Sequence, residues 1–185
     1  MNYQKKAEEI ILELSDVFHR LDFSAVDNFI YQIIKANRII LIGVGREGLS
    51  TKAFTMRLMH LGIKTHWIWD ETTPAINKGD LLIATSGCGK IGHIHYVVEK
   101  AKQQGAHVVV ITGDPRQKSP LAADNVLFLP ASVYLGTADV VPSAQPMGNL
   151  FEQSLLILFD IIIMALQERI GITKEKMEER HRNLE

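Results

Sequence analysis

The stretches "RIILIGVG", "GDLLIATSG", "AHVVVITGD" and "NVLFLP" are unbroken Val/Ile/Leu runs with no polar alternation. A strand of that kind needs cover on both faces, and a parallel sheet between two layers of helices supplies it. Between these runs lie stretches with helical spacing: "EGLSTKAFTMRLMHLG", closed by Gly62, and "KIGHIHYVVEKAKQQG", closed by Gly105. "KTHWIW" adds a further strand. Apolar residues at Ile10, Ile11, Leu14, Val17 and Phe18 predict a first amphipathic helix, and a second spans about 24–36. Met147 to Ile170 reads as a long apolar helix. The alternation predicts an α/β fold, doubly wound, with four or five parallel strands.

At 185 residues the chain fits a single domain, 1–185. The helices of 1–36 and 147–185 are expected to pack on the same core. Lys+Arg 20 against Asp+Glu 21 leaves a net charge of -1, so bulk charge points to no nucleic-acid partner. The N-terminus has charges among its apolar positions and lacks the run of a secretory signal. The greasiest segment, Leu155 to Leu166, is interrupted by Asp160 and falls short of the roughly 20 apolar residues a membrane span needs. It is expected to be a buried or interface helix, with no membrane partner. One cysteine permits no internal disulfide, which suits a reducing cytoplasm.

Ligands of such sheets gather at the carboxyl ends of the strands. Two glycine loops qualify, "GVGREG" at 43–48 and "TSGCGKIG" at 85–92. A strand that runs through glycines into a helix start offers free N–H groups and partial positive charge, so phosphate is the natural guest. Gly43, Gly45 and Gly48 fit the spacing of a dinucleotide loop, with Asp70 or Glu71 where the ribose-binding acid would fall. The small number of strands leaves little room for a substrate beside a dinucleotide, so that is the lesser reading. His93 and His95, two apart on a helix, do not share a face, and no metal site is expected. Cys88 has no evident base and is read as a small packed residue before a nucleophile.

"LIGVGREGLSTKAFTMRLMHLG", "ETTPAI", "LLIATSGCGK", "QPMGNLFEQSLLILFD" and the terminal "ITKEKMEERHRNLE" together resemble the 6-phospho-3-hexuloisomerase branch of the sugar isomerase (SIS) domain family, from about Ala7 to Glu185. The resemblance implies a five-stranded, flavodoxin-like three-layer sandwich, a phosphosugar site and a homo-tetramer. It also implies interconversion of a 3-hexulose 6-phosphate and fructose 6-phosphate, with no metal or organic cofactor. Glu152, in "MGNLFEQ", matches the family position of the base; its alternative is a first-turn Glu that favours the helix dipole. His181, in "RHRNLE", matches a position that assists proton transfer, from the same or a neighbouring subunit; its alternative is a solvated residue on a charged terminal helix.

The implied phosphate and sugar contacts are Gly45, Arg46, Glu47, Thr72, Thr73, Ser86, Gly87, Cys88, Gly89 and Lys90. Here the sequence departs from the family pattern. Its "GxGRSG" becomes "GVGREG", with Glu47 for serine, and "SGSGET" becomes "SGCGKI", with Cys88, Lys90 and Ile91 for serine, glutamate and threonine. Two expectations stand for the swapped charges. Either Glu47 and Lys90 form an ion pair across the loops, or Lys90 meets the ligand and Glu47 faces solvent. Thr72 and Thr73 either bond sugar hydroxyls or cap a turn before Pro74. The functional alternatives are an isomerase of another sugar phosphate and a non-catalytic phosphosugar sensor.

Overall fold

The computed structural model of the chain describes residues 2–184. The order is α1 (Tyr3–Arg20), α2 (Phe23–Lys35), β1 (Ile39–Ile42), α3 (Gly45–His60), β2 (Thr65–Trp67), β3 (Leu81–Thr85), α4 (Gly92–Gln103), β4 (His107–Thr112), α5 (Lys118–Ala122), β5 (Asn125–Phe128), α6 (Asn149–Ile170) and α7 (Lys174–Glu178). Asn2 and Asp22 begin α1 and α2 by accepting the N–H of Lys5 and Ser24 at 3.1 and 2.9 Å. Gly62 and Gly105 follow α3 and α4 at φ 84° and 79°, the left-handed backbone that a side chain would resist.

All five strands are parallel, in the order β2-β1-β3-β4-β5. The expected doubly wound, five-stranded α/β sandwich is therefore what the chain forms. Successive strand residues serve opposite layers. Ile39, Leu41, Leu81, Ile83, Val109 and Ile111 pack with Phe29 and Ile33 of α2, Phe54 and Leu58 of α3, and Leu155, Phe159 and Ile162 of α6. Ile40, Ile42, Leu82, Ala84, Val108 and Val110 pack with Ile94, Val98 and Ala101 of α4. Two covered faces are why the strands carry no polar alternation.

The rings of Phe54 and Phe159 stack at 4.1 Å and fasten α6 to α3. Such a pair contributes about 0.5–1.5 kcal/mol beyond its buried area. By length and composition α6 is apolar enough to cross a membrane, and half of its most apolar stretch is buried inside this fold. Its outer face leaves Leu156, Ile157 and Met164 exposed.

Three local expectations change. The loose stretch around Pro115 and Pro120 contains the short helix α5. "KTHWIW" is a strand only over Thr65–Trp67, because β2 pairs with one neighbour and the chain turns at once, Asp70 N–H bonding Trp67 O at 3.0 Å. The charged terminal helix ends at Glu178, so His181 lies beyond it. Strand order reverses between β1 and β3, and both glycine loops emerge at the carboxyl ends of these strands, the edge where ligands of such sheets bind.

Candidate functional site

The two loops meet because no side chain keeps them apart. A Cβ on Gly43 would lie 2.4 Å from Thr85 Oγ1, and one on Gly48 would lie 2.9 Å from the Gly43 carbonyl. Below them the Thr51 and Thr85 hydroxyls bond at 2.8 Å, and Thr51 Oγ1 donates to Glu47 O at 2.8 Å. Gly45 turns the chain into α3 at φ 57°. Neither α3 nor α4 has a side-chain cap at its start. Their first N–H groups, at the positive ends of both helix dipoles, are therefore left without a side-chain acceptor.

Two carboxylates and an arginine gather beside these loops. Arg46 Nη1 donates to Glu152 Oε2 at 2.9 Å and to Asn149 Oδ1 at 2.8 Å, joining the first turns of α3 and α6. Glu152 is mostly buried, with 20% of its side chain exposed, against 51% for Arg46. Glu47 turns its carboxyl inward and accepts the Gly87 N–H on Oε2 at 2.7 Å. Burial pushes Glu47 up to about 7; the Gly87 N–H pulls the other way and the charge of Glu152 adds to the rise.

Neither expectation for the swapped charges holds. Glu47 bonds backbone rather than Lys90 and does not face solvent, because the first turn of α3 aims it at the next loop. Lys90 follows Gly89, whose φ of 66° swings the chain outward, and its Nζ donates to Leu135 O at 3.2 Å. In the same loop the Ser86 hydroxyl is buried and has no hydrogen-bond partner, and Cys88 is half-buried. A buried hydroxyl left unpaired is costly unless a ligand or water satisfies it.

The loop after β4 supports this one. Asp114, fully buried, accepts from Arg116 Nε at 3.2 Å, Gln117 Nε2 at 3.0 Å and Thr137 Oγ1 at 2.9 Å. Burial alone would raise its pKa, but these bonds outweigh it and hold the carboxyl well below the usual carboxylate range. Leu135, which accepts Lys90, sits at φ 60°, and Met147, just before α6, at φ 57°. Such backbone persists only where its surroundings fix it.

Three expected site residues have their contacts outside the two loops. His181 stacks beside His60, ring centres 5.3 Å apart, at the far end of α3. His60 lies thirteen positions after Glu47 along α3, about 20 Å at 1.5 Å per residue. Thr73 spends its hydroxyl on Trp67 O at 2.7 Å and caps the turn. Thr72 lines an open, largely apolar groove of about 540 Å³ with Leu49, Lys52, Met56 and Trp67. No residue of either glycine loop lines that groove. Among the described residues no group of three or more His, Cys, Asp or Glu side chains could hold a metal.

Sequence reasoning missed Asn149, Thr51, Thr85 and Asp114. Asn149 stood in the quoted "MGNLFEQ", three residues before Glu152, and that spacing on a helix was the available signal.

Against known proteins, the SIS domain family model matches residues 32–133, which include both loops. A 3-hexulose-6-phosphate isomerase of Bacillus subtilis is 34% identical over 177 residues, 96% of each chain. One of Mycobacterium gastri is 36% identical over 175 residues, 94% of this chain and 86% of that one. A solved Methanococcus jannaschii protein, for which 3-hexulose-6-phosphate isomerase function was inferred, superposes with a TM-score of 0.86 at 30% identity, covering 98% of this chain and 99% of that one.

Proposed function

Since the chain belongs to the SIS domain family and is a phosphosugar isomerase, we propose that it interconverts 3-hexulose 6-phosphate and fructose 6-phosphate through a cis-enediol, as a single SIS domain over 1–185. The observation that carries this reading is that the two glycine loops are joined by the Glu47–Gly87 bond while Arg46, at the start of α3, pairs with Glu152 at the start of α6. The phosphate is held by the loop Ser86 to Lys90 and the start of α4, with the unpaired Ser86 hydroxyl as a donor. Glu152 is the base. It takes the proton from C2, the C2–H electron pair forms the C2=C3 bond, and the C3 carbonyl pair moves onto its oxygen, which takes a proton from solvent. The C2 hydroxyl then gives a proton to solvent, its O–H pair forms the C2 carbonyl, and the C2=C3 pair takes the proton from Glu152 at C3.

Arg46 holds Glu152 in place and offsets the charge that develops on the enediol oxygens. Only protons move, so the path calls for neither metal nor organic cofactor. His181 assists from a second copy of the chain, since about 20 Å of α3 separates its neighbour His60 from Glu47 within one copy. A homo-tetramer accords with the exposed apolar residues Leu49, Met56 and Met59 on α3 and Leu156, Ile157 and Met164 on α6. A cytoplasmic setting accords with a lone, free Cys88.

A second reading, isomerisation of another sugar phosphate, is favoured by one observation: the Glu47 carboxyl occupies the Gly87 N–H of the loop expected to hold phosphate. The test is a coupled assay that follows fructose 6-phosphate formed from 3-hexulose 6-phosphate. Turnover of about 1–10³ s⁻¹ is expected. A folded protein with none would move the assignment to the second reading.

A further inference from the structure

An anion-binding loop is useful to a ligand only if its donors are free. In this chain one of them is occupied, because the Gly87 N–H already serves the Glu47 carboxyl. A dianionic phosphate arriving at the loop meets a carboxylate on its own donor, and two such groups repel. We propose that Glu47 is a built-in competitor for the phosphate, and that a phosphorylated ligand binds with uptake of one proton by Glu47. This rests on the phosphosugar reading and specifies how that site tells ligands apart.

The carboxylic acid form removes the conflict without moving the side chain. Its carbonyl oxygen still accepts from Gly87, and its O–H donates to a phosphate oxygen, the role a serine hydroxyl would play. The surroundings allow that change of state. Glu152, on α6, is the negative charge that Glu47 feels, and Arg46, beside it on α3, is engaged with Glu152 and Asn149. On the loop after β3, the Lys90 ammonium rests on the Leu135 carbonyl and Cys88 carries only a thiol. From the loop after β4, Asp114 is held by Arg116, Gln117 and Thr137. Thr51 and Thr85 beneath are uncharged. With burial placing Glu47 at about 7, both forms are within reach near neutrality.

The test uses sulfate, which remains a dianion across the working range, so any proton taken up belongs to the protein. Sulfate and fructose 6-phosphate are titrated calorimetrically into the wild type, Glu47→Gln and Glu47→Ser at pH 6 and pH 8, in buffers of differing ionisation enthalpy. For one linked proton, wild-type sulfate affinity should fall about tenfold from pH 6 to pH 8, with proton uptake at pH 8. Both variants should bind sulfate alike at the two pH values and take up no proton with it. A wild type without that pH dependence, or variants that keep it, overturns the proposal. Failure of all three proteins to bind either ligand overturns it as well. Sulfate behaving as stated while fructose 6-phosphate fails to bind leaves Glu47 its role and removes the substrate assignment.

Discussion

Glu152→Gln is expected to lower turnover of 3-hexulose 6-phosphate by about 10²–10⁴-fold, the usual contribution of a positioned general base, with KM little changed. Glutamine keeps the shape of the side chain and its oxygen still accepts from Arg46, but it cannot take the C2 proton. The fold should survive. The pair it weakens leaves Arg46 half exposed, and exposed ion pairs contribute about 0–1 kcal/mol. Steady-state rates with urea unfolding of the same preparation separate the two effects. Wild-type turnover in the variant would assign the base elsewhere, with Glu47 as the next carboxyl beside the loops.

Asp114→Ala should destabilise the protein by about 3 kcal/mol, the usual cost of removing one partner from a buried, charged hydrogen-bond network. The substitution strands donors on Arg116, Gln117 and Thr137. The pH dependence has a definite sign. Those bonds hold the folded carboxyl well below its ordinary range, so its contribution is fully present above the unfolded pKa of about 3.9 and declines as pH falls below it. Urea unfolding should therefore give a constant gap between wild type and variant from pH 8 to pH 5, and a smaller one at pH 3. A gap that widens toward acid would contradict this. The same change frees the segment that carries Leu135 and Thr137, and with it the carbonyl that parks Lys90.

The sheet was legible because both of its faces are covered, which leaves Val/Ile/Leu runs such as "LLIAT" that no solvent-facing element would carry. The two loops were legible for the same reason, as the glycines mark where β1 and β3 hand the chain to α3 and α4. What each side chain does inside the loops was not. Glu47 stood out as an acid in an anion loop, yet its partner is a backbone N–H 40 residues away, which spacing cannot indicate. Arg46 and Asn149 are 103 residues apart in sequence and meet only because α6 returns across α3. His181 was placed by its motif, while its distance from Glu47 depends on which end of α3 the C-terminus reaches. The short α5 escaped notice because five residues around Pro120 carry no helical period.

Proton magnetic resonance of fructose 6-phosphate incubated with the wild-type protein in D₂O follows the reaction in reverse and tests the central claim most directly. An enediol path predicts loss of the C3 proton signal through exchange with solvent, together with the appearance of 3-hexulose 6-phosphate, and both should be slower by about 10²–10⁴-fold with Glu152→Gln. Fructose 6-phosphate that keeps its C3 proton and yields no new sugar phosphate in the presence of folded wild-type protein would contradict it.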